Sequence, residues 1–420
     1  MLCDMPFTFC SGVDDLFMEP ANHLLHNYTR SGRKQGDGFT DELFLRCGVL
    51  RALEGDESGR AFLQTLADEP QVQTLAKSTW FDAFQSPRRL SLIAEVATKS
   101  YHHFERELQD RDWLGAFEEL RDCPVWAVDG HQIKHACHAI KDGNGAHVPS
   151  GMIYGMCLHH GLVRAMSRYY GDGQRPHEWP IFKQNWREWL AQDSRRGMPI
   201  FVVDPAYVDN QFWLLEKIHK QAMVITREKE NMKPTIYSQE AFDRDDPVNR
   251  GVQADEFAGY SNATLRRIRY SDPATGESFA FITTCNHLRP GLVALLYFMR
   301  WKIEKVYDVF KNKLKVRKAW GSGKTCAIMQ AHFVALLHNL LTLLLARLEK
   351  TGLEQRAVTA RRARRRRDTP DHKRVPAQEM IRHAFPLTCQ FIRTARNVLR
   401  FKIPWNDAYP IFKQRLDSYL

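Results

Sequence analysis

Apolar and polar positions change rhythm along the chain, and the changes predict its elements. Up to about residue 120 the rhythm is helical, clearest in Asp41–Leu66 and from Ser86 through Leu120. In the second stretch Ser86 is placed to cap, Pro87 suits the first helical position, and Arg88 and Arg89 fall in the first turn. At Pro124 the pattern becomes strand-like. VWAVDGHQIKH, from Val125, predicts a strand ending in an Asp-Gly turn, and MIYGMCLHHGLVRAMSRYYGDG predicts two strands joined through His160-Gly161. Pro180–Asp193 has helical spacing. MPIFVVDPAY is a short apolar run of buried-strand character that stops at Asp204-Pro205, and Lys220–Thr226 predicts another strand. The order βββαβ(α)β over 124–226 predicts a mixed α/β unit with a central sheet.

From about Arg227 to Ala280, polar stretches surround LRRIRYSDPATGESFAFITT, whose alternating faces and DPATG turn predict a hairpin in a β-rich insertion. Helical spacing resumes at Pro290 and runs to about Leu348, and Gln378–Phe401 is the last helical stretch. The apolar run Val334–Leu348 contains His338 and Asn339 and falls short of the roughly 18–20 residues a bilayer crossing needs, so it predicts a buried helix. No internal repeat is visible.

Charge narrows the class. The 420 residues carry 60 Lys plus Arg against 49 Asp plus Glu, a net charge of +11. A basic protein of this size commonly meets a polyanion, of which nucleic acid is the commonest. The charge is concentrated: Arg356–Arg374 holds nine Lys/Arg and two Asp, supplying +7 of the +11. Nine scattered cysteines with no Cys-x-x-Cys pair argue against a disulfide framework or a structural zinc site. The N-terminus has Asp where a signal peptide needs Lys or Arg. A soluble protein of the reducing cytosol, with no membrane partner, is expected.

The chemistry-bearing residues begin in the helix from Pro290. Tyr297, Arg300, Glu304 and Lys311 stand at offsets 0, 3, 7 and 14, which fall within an arc of about 60° on a helix. Leu296, Met299, Ile303, Val306 and Phe310 form a separate apolar stripe. Such a polar face is usually a solvated, salt-bridged one. Asp129 and Asp204 each stand where an apolar strand stops; each alone reads as a turn residue, but carboxyl ends of strands are also where α/β sheets build sites. Together with Glu304 they make three carboxylates able to converge. Three carboxylates can hold two Mg²⁺ ions about 4 Å apart for in-line phosphodiester chemistry. Arg300 and Lys311 would clamp phosphates beside them.

The segment YFMRWKIEKVYDVFK carries Tyr-x2-Arg-x3-Glu-x6-Lys. It resembles the signature of bacterial insertion-sequence DDE transposases of the Tyr-Arg-Glu-Lys (YREK) class. WAVDGHQ resembles that family's first-Asp strand and FVVDPAY its second-Asp strand, and the likeness spans roughly 124–345. The resemblance implies an RNase H-like catalytic core with a β-rich insertion before the catalytic Glu. A helical N-terminal domain would precede this core and C-terminal helices would follow it. The segments expected are a helical DNA-binding domain at 1–120, the core at 121–226 and 286–350, the insertion at 227–285, and a basic segment with C-terminal helices at 351–420. The insertion also fits the 100 residues between Asp204 and Glu304, too long for one connection.

The same resemblance implies that Asp129, Asp204 and Glu304 are the catalytic metal ligands, with two Mg²⁺ ions as cofactor and Mn²⁺ able to substitute. Tyr297, Arg300 and Lys311 become supporting, DNA-contacting residues. The implied partners are double-stranded DNA, as element ends and target, and a second copy forming a homodimer on DNA. One departure stands out. Well-studied relatives stack an extruded base on a tryptophan of the insertion during a DNA-hairpin step, but no Trp lies between Trp213 and Trp301. Phe257, Tyr260, Tyr270, Phe279 and Phe281 are the aromatic substitutes, since any aromatic face stacks.

Other signals are weaker. GSGKT at Gly321–Thr325 lacks the first glycine of a P-loop, position 318 being Lys, and follows a basic helix rather than a strand. His131, His135 and His138 cluster with Cys137 after Asp129 and offer a zinc alternative. Asp308 is the rival third carboxylate. The rival functions are an RNase H-like nuclease or domesticated transposase without strand transfer, and a non-catalytic DNA-binding protein. Arg88 and Arg89 at a helix start are the expected DNA contacts of the N-terminal region, and Arg364, Arg365, Arg366 and Arg367 those of the basic segment.

The basic segment yields a direct expectation. Its arginines have no apolar stripe to pack, so they face solvent or phosphate. Replacing Arg364–Arg367 by Gln should flatten the salt dependence of DNA affinity by up to about 3–4 units of slope, roughly 0.9 for each duplex phosphate no longer neutralised. Specific and non-specific DNA should weaken alike. An unchanged slope in a salt titration would exclude contact.

Overall fold

The computed structural model describes residues 39–55, 58–66, 75–133, 135–136, 150–170, 178–191, 193–260, 263–314, 316, 318–321 and 323–350. The basic segment with Arg364–Arg367, and the helix expected at Gln378–Phe401, lie outside the described residues.

Four helices come first among the described residues. α1 (Asp41–Glu54) starts at Thr40, whose hydroxyl accepts from Leu43 N–H at 3.1 Å, and stops at Gly55 with φ 81°. That left-handed residue splits the single stretch expected over Asp41–Leu66, and α2 (Gly59–Thr65) starts afresh from a Ser58 cap. α3 (Lys77–Ala83) carries the aromatic TWFDA segment. α4 (Pro87–Glu107) begins as the sequence predicts, with Ser86 capping Arg89 N–H and Pro87 in the first turn. It does not run to Leu120. Leu114 N–H donates to Asp112 Oδ1 at 2.9 Å and Trp113 N–H to His159 O at 2.8 Å, which turns the chain into short 3-10 segments.

The middle of the chain alternates strands and helices: β1 (Val125–Ile133), β2 (His135–Ala136), β3 (Ser150–Cys157), β4 (Val163–Tyr170), α5 (Glu178–Leu190), β5 (Ile200–Val203), α6 (Asn210–Ile218) and β6 (Met223–Arg227). Four more strands follow: β7 (Thr235–Gln239), β8 (Val252–Tyr260), β9 (Ala263–Ser271) and β10 (Ser278–Thr283). α7 (Pro290–Asp308) continues into a π-helical turn at Val309–Lys313; β11 (Lys318–Ala319) and α8 (Lys324–Lys350) complete the described chain. The long helix expected from Pro290 to Leu348 is thus two helices broken by a π turn and a short strand.

One nine-stranded sheet runs β4-β3-β1-β5-β6-β10-β9-β8-β7. β1, β3 and β4 form an antiparallel meander, and β5 and β6 lie parallel to β1. The predicted hairpin is β9–β10, turning at Gly276 with φ 78°. β10 pairs antiparallel with β6, Phe281 opposite Arg227, so the β-rich segment extends the central sheet edge to edge. Arg266 fixes this extension. Its guanidinium binds Asp255 twice, at 2.9 and 2.6 Å, and donates to Cys285 O and Leu288 O just before α7.

Side chains sort by sheet face. Trp126 of β1 and Phe201 of β5, paired in register, pack on Trp189, Phe182 and Trp186 of α5. Strand alternation therefore turns Ala127 and Asp129 to the face crossed by α7. α8 is long and apolar enough to cross a membrane by length and composition, yet 83% of that span is buried among the other elements. His338 and Asn339 in its apolar run have partners: Asn339 bonds both backbone groups of Val163 at 2.7 and 2.8 Å, and His338 Nε2 stands 3.4 Å from Gly161 O.

Below the sheet, Arg195 joins Glu105 and Asp112 at 3.0 and 3.1 Å, and His159 Nδ1 lies 2.7 Å from Asp112 Oδ1. Burial alone would raise the Asp112 carboxyl, but its hydrogen bond with His159 and the charge of Arg195 bring it down to about 2. A carboxyl depressed below its unfolded value of 3.8 stabilises above that pH and loses the contribution as pH falls through the folded value. Asp112→Asn should cost on the order of 2 kcal/mol in urea denaturation near pH 7. The gap should close as pH falls from about 4 toward about 2; a constant gap would assign the loss to packing instead.

Candidate active site

The site begins with strand register. β1 and β5 run parallel with Val128 opposite Val203, so the next residue on each chain is an aspartate, Asp129 beside Asp204. Adjacent strands lie about 4.8 Å apart, which holds the two carboxylates as neighbours. The expected Asp-Gly turn is absent. β1 continues to Ile133, with Asp129 opposite Tyr154 of β3; only the parallel pairing ends at Val128. Asp204 does end its strand. It caps the 3-10 turn Pro205–Tyr207, its Oδ1 accepting from Ala206 N–H at 2.9 Å.

α7 crosses these strand ends and brings the third carboxylate. Its predicted polar face is not a solvated one: Tyr297 is buried and Arg300 is 3% exposed. Arg300 NH2 donates to Glu304 Oε1 at 3.0 Å, its NH1 stands 4.0 Å from Asp129 Oδ2, and its guanidinium lies 5.4 Å from the Tyr297 ring centre. Burial alone would loosen the Arg300 proton. The combined influence of Tyr297, Asp129, Asp204 and Glu304 more than offsets that and tightens it. All three predicted carboxylates therefore act on one buried guanidinium. Glu304 keeps its carboxylate 45% exposed, at the open side of the site.

Asp129 carries the electrostatic strain. Burial, and next the neighbouring Glu178 carboxylate, push its carboxyl up to about 7 against the pull of Arg300. Its backbone carbonyl accepts the Tyr307 hydroxyl at 2.6 Å, which ties β1 to α7 at this level. Asp308, the rival, instead accepts from Asn312 Nδ2 at 2.7 Å. Lys311 lies exposed in the π-helical turn. Burial, and after it the Lys311 charge, depress the His131 imidazole to about 4.

Among the described residues, no three His, Cys, Asp or Glu side chains stand close enough to chelate one ion. The zinc alternative finds no support there: His131 packs on the Tyr307 and Phe310 rings, while Cys137 and His138 lie outside the described residues. The donor chemistry suits a hard cation. Asp129, Asp204 and Glu304 offer oxygen only, and Mg²⁺ needs one or two carboxylates, taking waters and substrate phosphates for the rest.

Other predicted residues fall elsewhere. Arg88 binds Asp41 through both terminal nitrogens at 2.5 and 2.6 Å, and Arg89 binds Asp41 Oδ1 and Phe39 O while lying on the Phe39 and Phe44 rings. Both serve first to fasten α1 to α4. Of the five aromatics weighed for stacking, Tyr260, Tyr270 and Phe281 are buried, which leaves Phe257 and Phe279 partly open. Three residues escaped sequence reasoning. Arg227 follows Thr226, the register partner of Val203, so it closes a third parallel strand end. Trp301 exposes 56% of its surface on α7, one turn before Glu304. Glu178, the first residue of α5, is the third. The register of Thr226 was the one signal that could have found Arg227.

No protein-family model and no curated protein matches the chain. Among solved structures, it is similar to a piggyBac transposase synaptic complex with hairpin DNA, at 11% sequence identity and a TM-score of 0.40, over 94% of this chain and 82% of that one.

Arg300 is the testable centre of the geometry. Arg300→Met leaves three carboxylates without their shared cation and should cost about 3–5 kcal/mol near pH 8. The Asp129 carboxyl has a folded value of about 7, above its unfolded 3.8, so its ionisation opposes folding as pH rises. The penalty should therefore shrink near pH 5, where Asp129 is protonated. Equal destabilisation in denaturant melts at both pH values would show that Arg300 acts by packing alone.

Proposed function

We propose that the chain is a DDE transposase that binds the terminal inverted repeats of a mobile element and catalyses metal-dependent DNA cleavage and strand transfer. The observation that carries this reading is Arg300 standing between Glu304 and Asp129, with Asp204 at the parallel strand end beside Asp129, residues of the two strands and the helix whose motifs resemble the YREK class. An antiparallel meander joined to parallel strands, with the Glu-bearing helix after a β-rich segment, supports the RNase H-like reading of the core.

Asp129, Asp204 and Glu304 would hold Mg²⁺, which when bound activates a water or 3′-hydroxyl and stabilises the leaving phosphodiester oxygen. The chain's own groups supply the rest. Arg300 holds the carboxylates together and presents a fork suited to phosphate. Lys311, exposed beside the site, adds a point charge for the DNA backbone. The partly buried carboxyl of Asp129 is placed for ligation in its ionised form. The N-terminal helical region would recognise element ends, and two copies would assemble on DNA in the bacterial cytoplasm.

Asp129→Asn, Asp204→Asn and Glu304→Gln should each reduce Mg²⁺-dependent nicking of a plasmid carrying element ends to background, with end binding in a mobility assay nearly unchanged. Normal cleavage by Glu304→Gln would remove Glu304 from the site and promote Asp308. Cleavage without joining to target DNA would favour a nuclease instead.

A further inference from the structure

The ends of three parallel strands stand in one row. Val203 of β5 is opposite Thr226 of β6, so Arg227 follows on β6 where Asp204 follows on β5 and Asp129 on β1. At the spacing of neighbouring strands, Arg227 lies about 4.8 Å from the Asp204 strand and about 10 Å from that of Asp129. Pairing with β10 fixes its face. Arg227 is opposite Phe281, whose ring packs on Tyr297 and Phe298 of α7 at 5.0 and 5.8 Å. Paired residues share a face, so Arg227 rises on the side of the sheet that α7 crosses.

Its guanidinium is exposed, and among the described residues it rests on the Phe279 ring, 5.6 Å from the ring centre, with no carboxylate paired to it. Phe279 is braced in turn against Phe298 of α7, edge to face at 5.3 Å. Glu228, the next residue, alternates to the other face and is engaged there by Arg267 and the Tyr260 hydroxyl. Neighbouring arginines are used differently. Arg266, Arg267 and Arg269 of β9 each bind a carboxylate of the sheet, and Arg300 is buried against Glu304. Covering Phe279 needs only an apolar stem, and neutralising Asp204 would bring an ion pair with it. Arg227 is instead an open cation, braced on an aromatic ring at the end of a row of carboxylates, and its fork matches two oxygens of a phosphate. We propose that Arg227 binds a backbone phosphate of DNA lying across the Asp129–Asp204 strand ends, on the β6 side of the site. This rests on the DNA-directed reading above.

The test measures the affinity of the full chain for a short random-sequence DNA duplex across a salt series, with folding followed by thermal melts. Arg227→Gln should reduce the slope of log affinity against log salt by about 0.9, the share of one duplex phosphate, with an unchanged melting midpoint. Arg244→Gln is the reference arm. Arg244 is likewise exposed over a phenylalanine ring, that of Phe242, but in the loop between β7 and β8, and its loss should leave the slope as it is. If Arg227→Gln keeps the slope and affinity of the unchanged protein, or if both variants lose equally, the phosphate contact is overturned and the DNA-directed reading stands. If the unchanged protein binds no duplex, that reading fails and this inference with it. Should glutamine lower the melting midpoint, Arg227→Met, which still covers Phe279, takes its place with the same outcomes.

Discussion

Like charges gathered at one end of a sheet must be neutralised, and this constraint organises the molecule around Arg300. Two carboxylates 4 Å apart repel by about 4 kcal/mol at an effective dielectric near 20. Parallel register sets Asp129 and Asp204 on neighbouring strand ends, because Val128 and Val203 are buried and paired beneath them. A cation has to be supplied from elsewhere in the fold. α7 supplies it by crossing β1, β5 and β6 with Arg300 inward and Glu304 one turn further out. The helix is held at that depth by Tyr307 on the Asp129 carbonyl and, at its start, by Gly291, whose N–H bonds Asn249 Oδ1 and whose lack of a Cβ lets Val248 O approach.

The sheet extension follows from the same need. α7 is anchored through Arg266, whose bonds to Cys285 and Leu288 connect β9 to the residues just before Pro290. A bidentate buried pair with Asp255 leaves that arginine little freedom, and removing one partner of such a pair costs several kcal/mol. The β-rich segment between Asp204 and Glu304 is therefore more than an appendage. Its strands continue the sheet and set where the Glu-bearing helix begins.

Much of this is legible in residue pattern, and the failures have identifiable causes. Strand and helix order from 124 to 226 follows from apolar runs, because buried strands of four or five residues leave a plain signal. The Tyr-Arg-Glu spacing on α7 is legible since helical geometry fixes which offsets share a face. Its burial is not, because a charged face beside an apolar stripe looks solvated until the opposing carboxylates are placed. Asp129 reads as a turn because Asp-Gly is a turn pair locally, whereas here pairing with β3 carries β1 on through Gly130 to Ile133. The pairing of Arg88 and Arg89 with Asp41 is hidden for a like reason, since that partner lies 47 and 48 residues away. Glu178 leaves no sequence signal, since a single carboxylate at a helix start is ordinarily a helix-dipole residue.

The choice of arginine at position 300 bears on how such a site could work. A lysine would neutralise one carboxylate at a point and, buried, would readily shed its proton. A guanidinium stays charged and is wide enough to face Glu304 with one nitrogen and Asp129 with another, while its plane rests near Tyr297. Among the described residues its Nε finds no acceptor, so one donor of the fork remains unspent inside the fold. The same residue thereby keeps the gathered carboxylates compatible with folding, which a group that readily sheds its proton could not do.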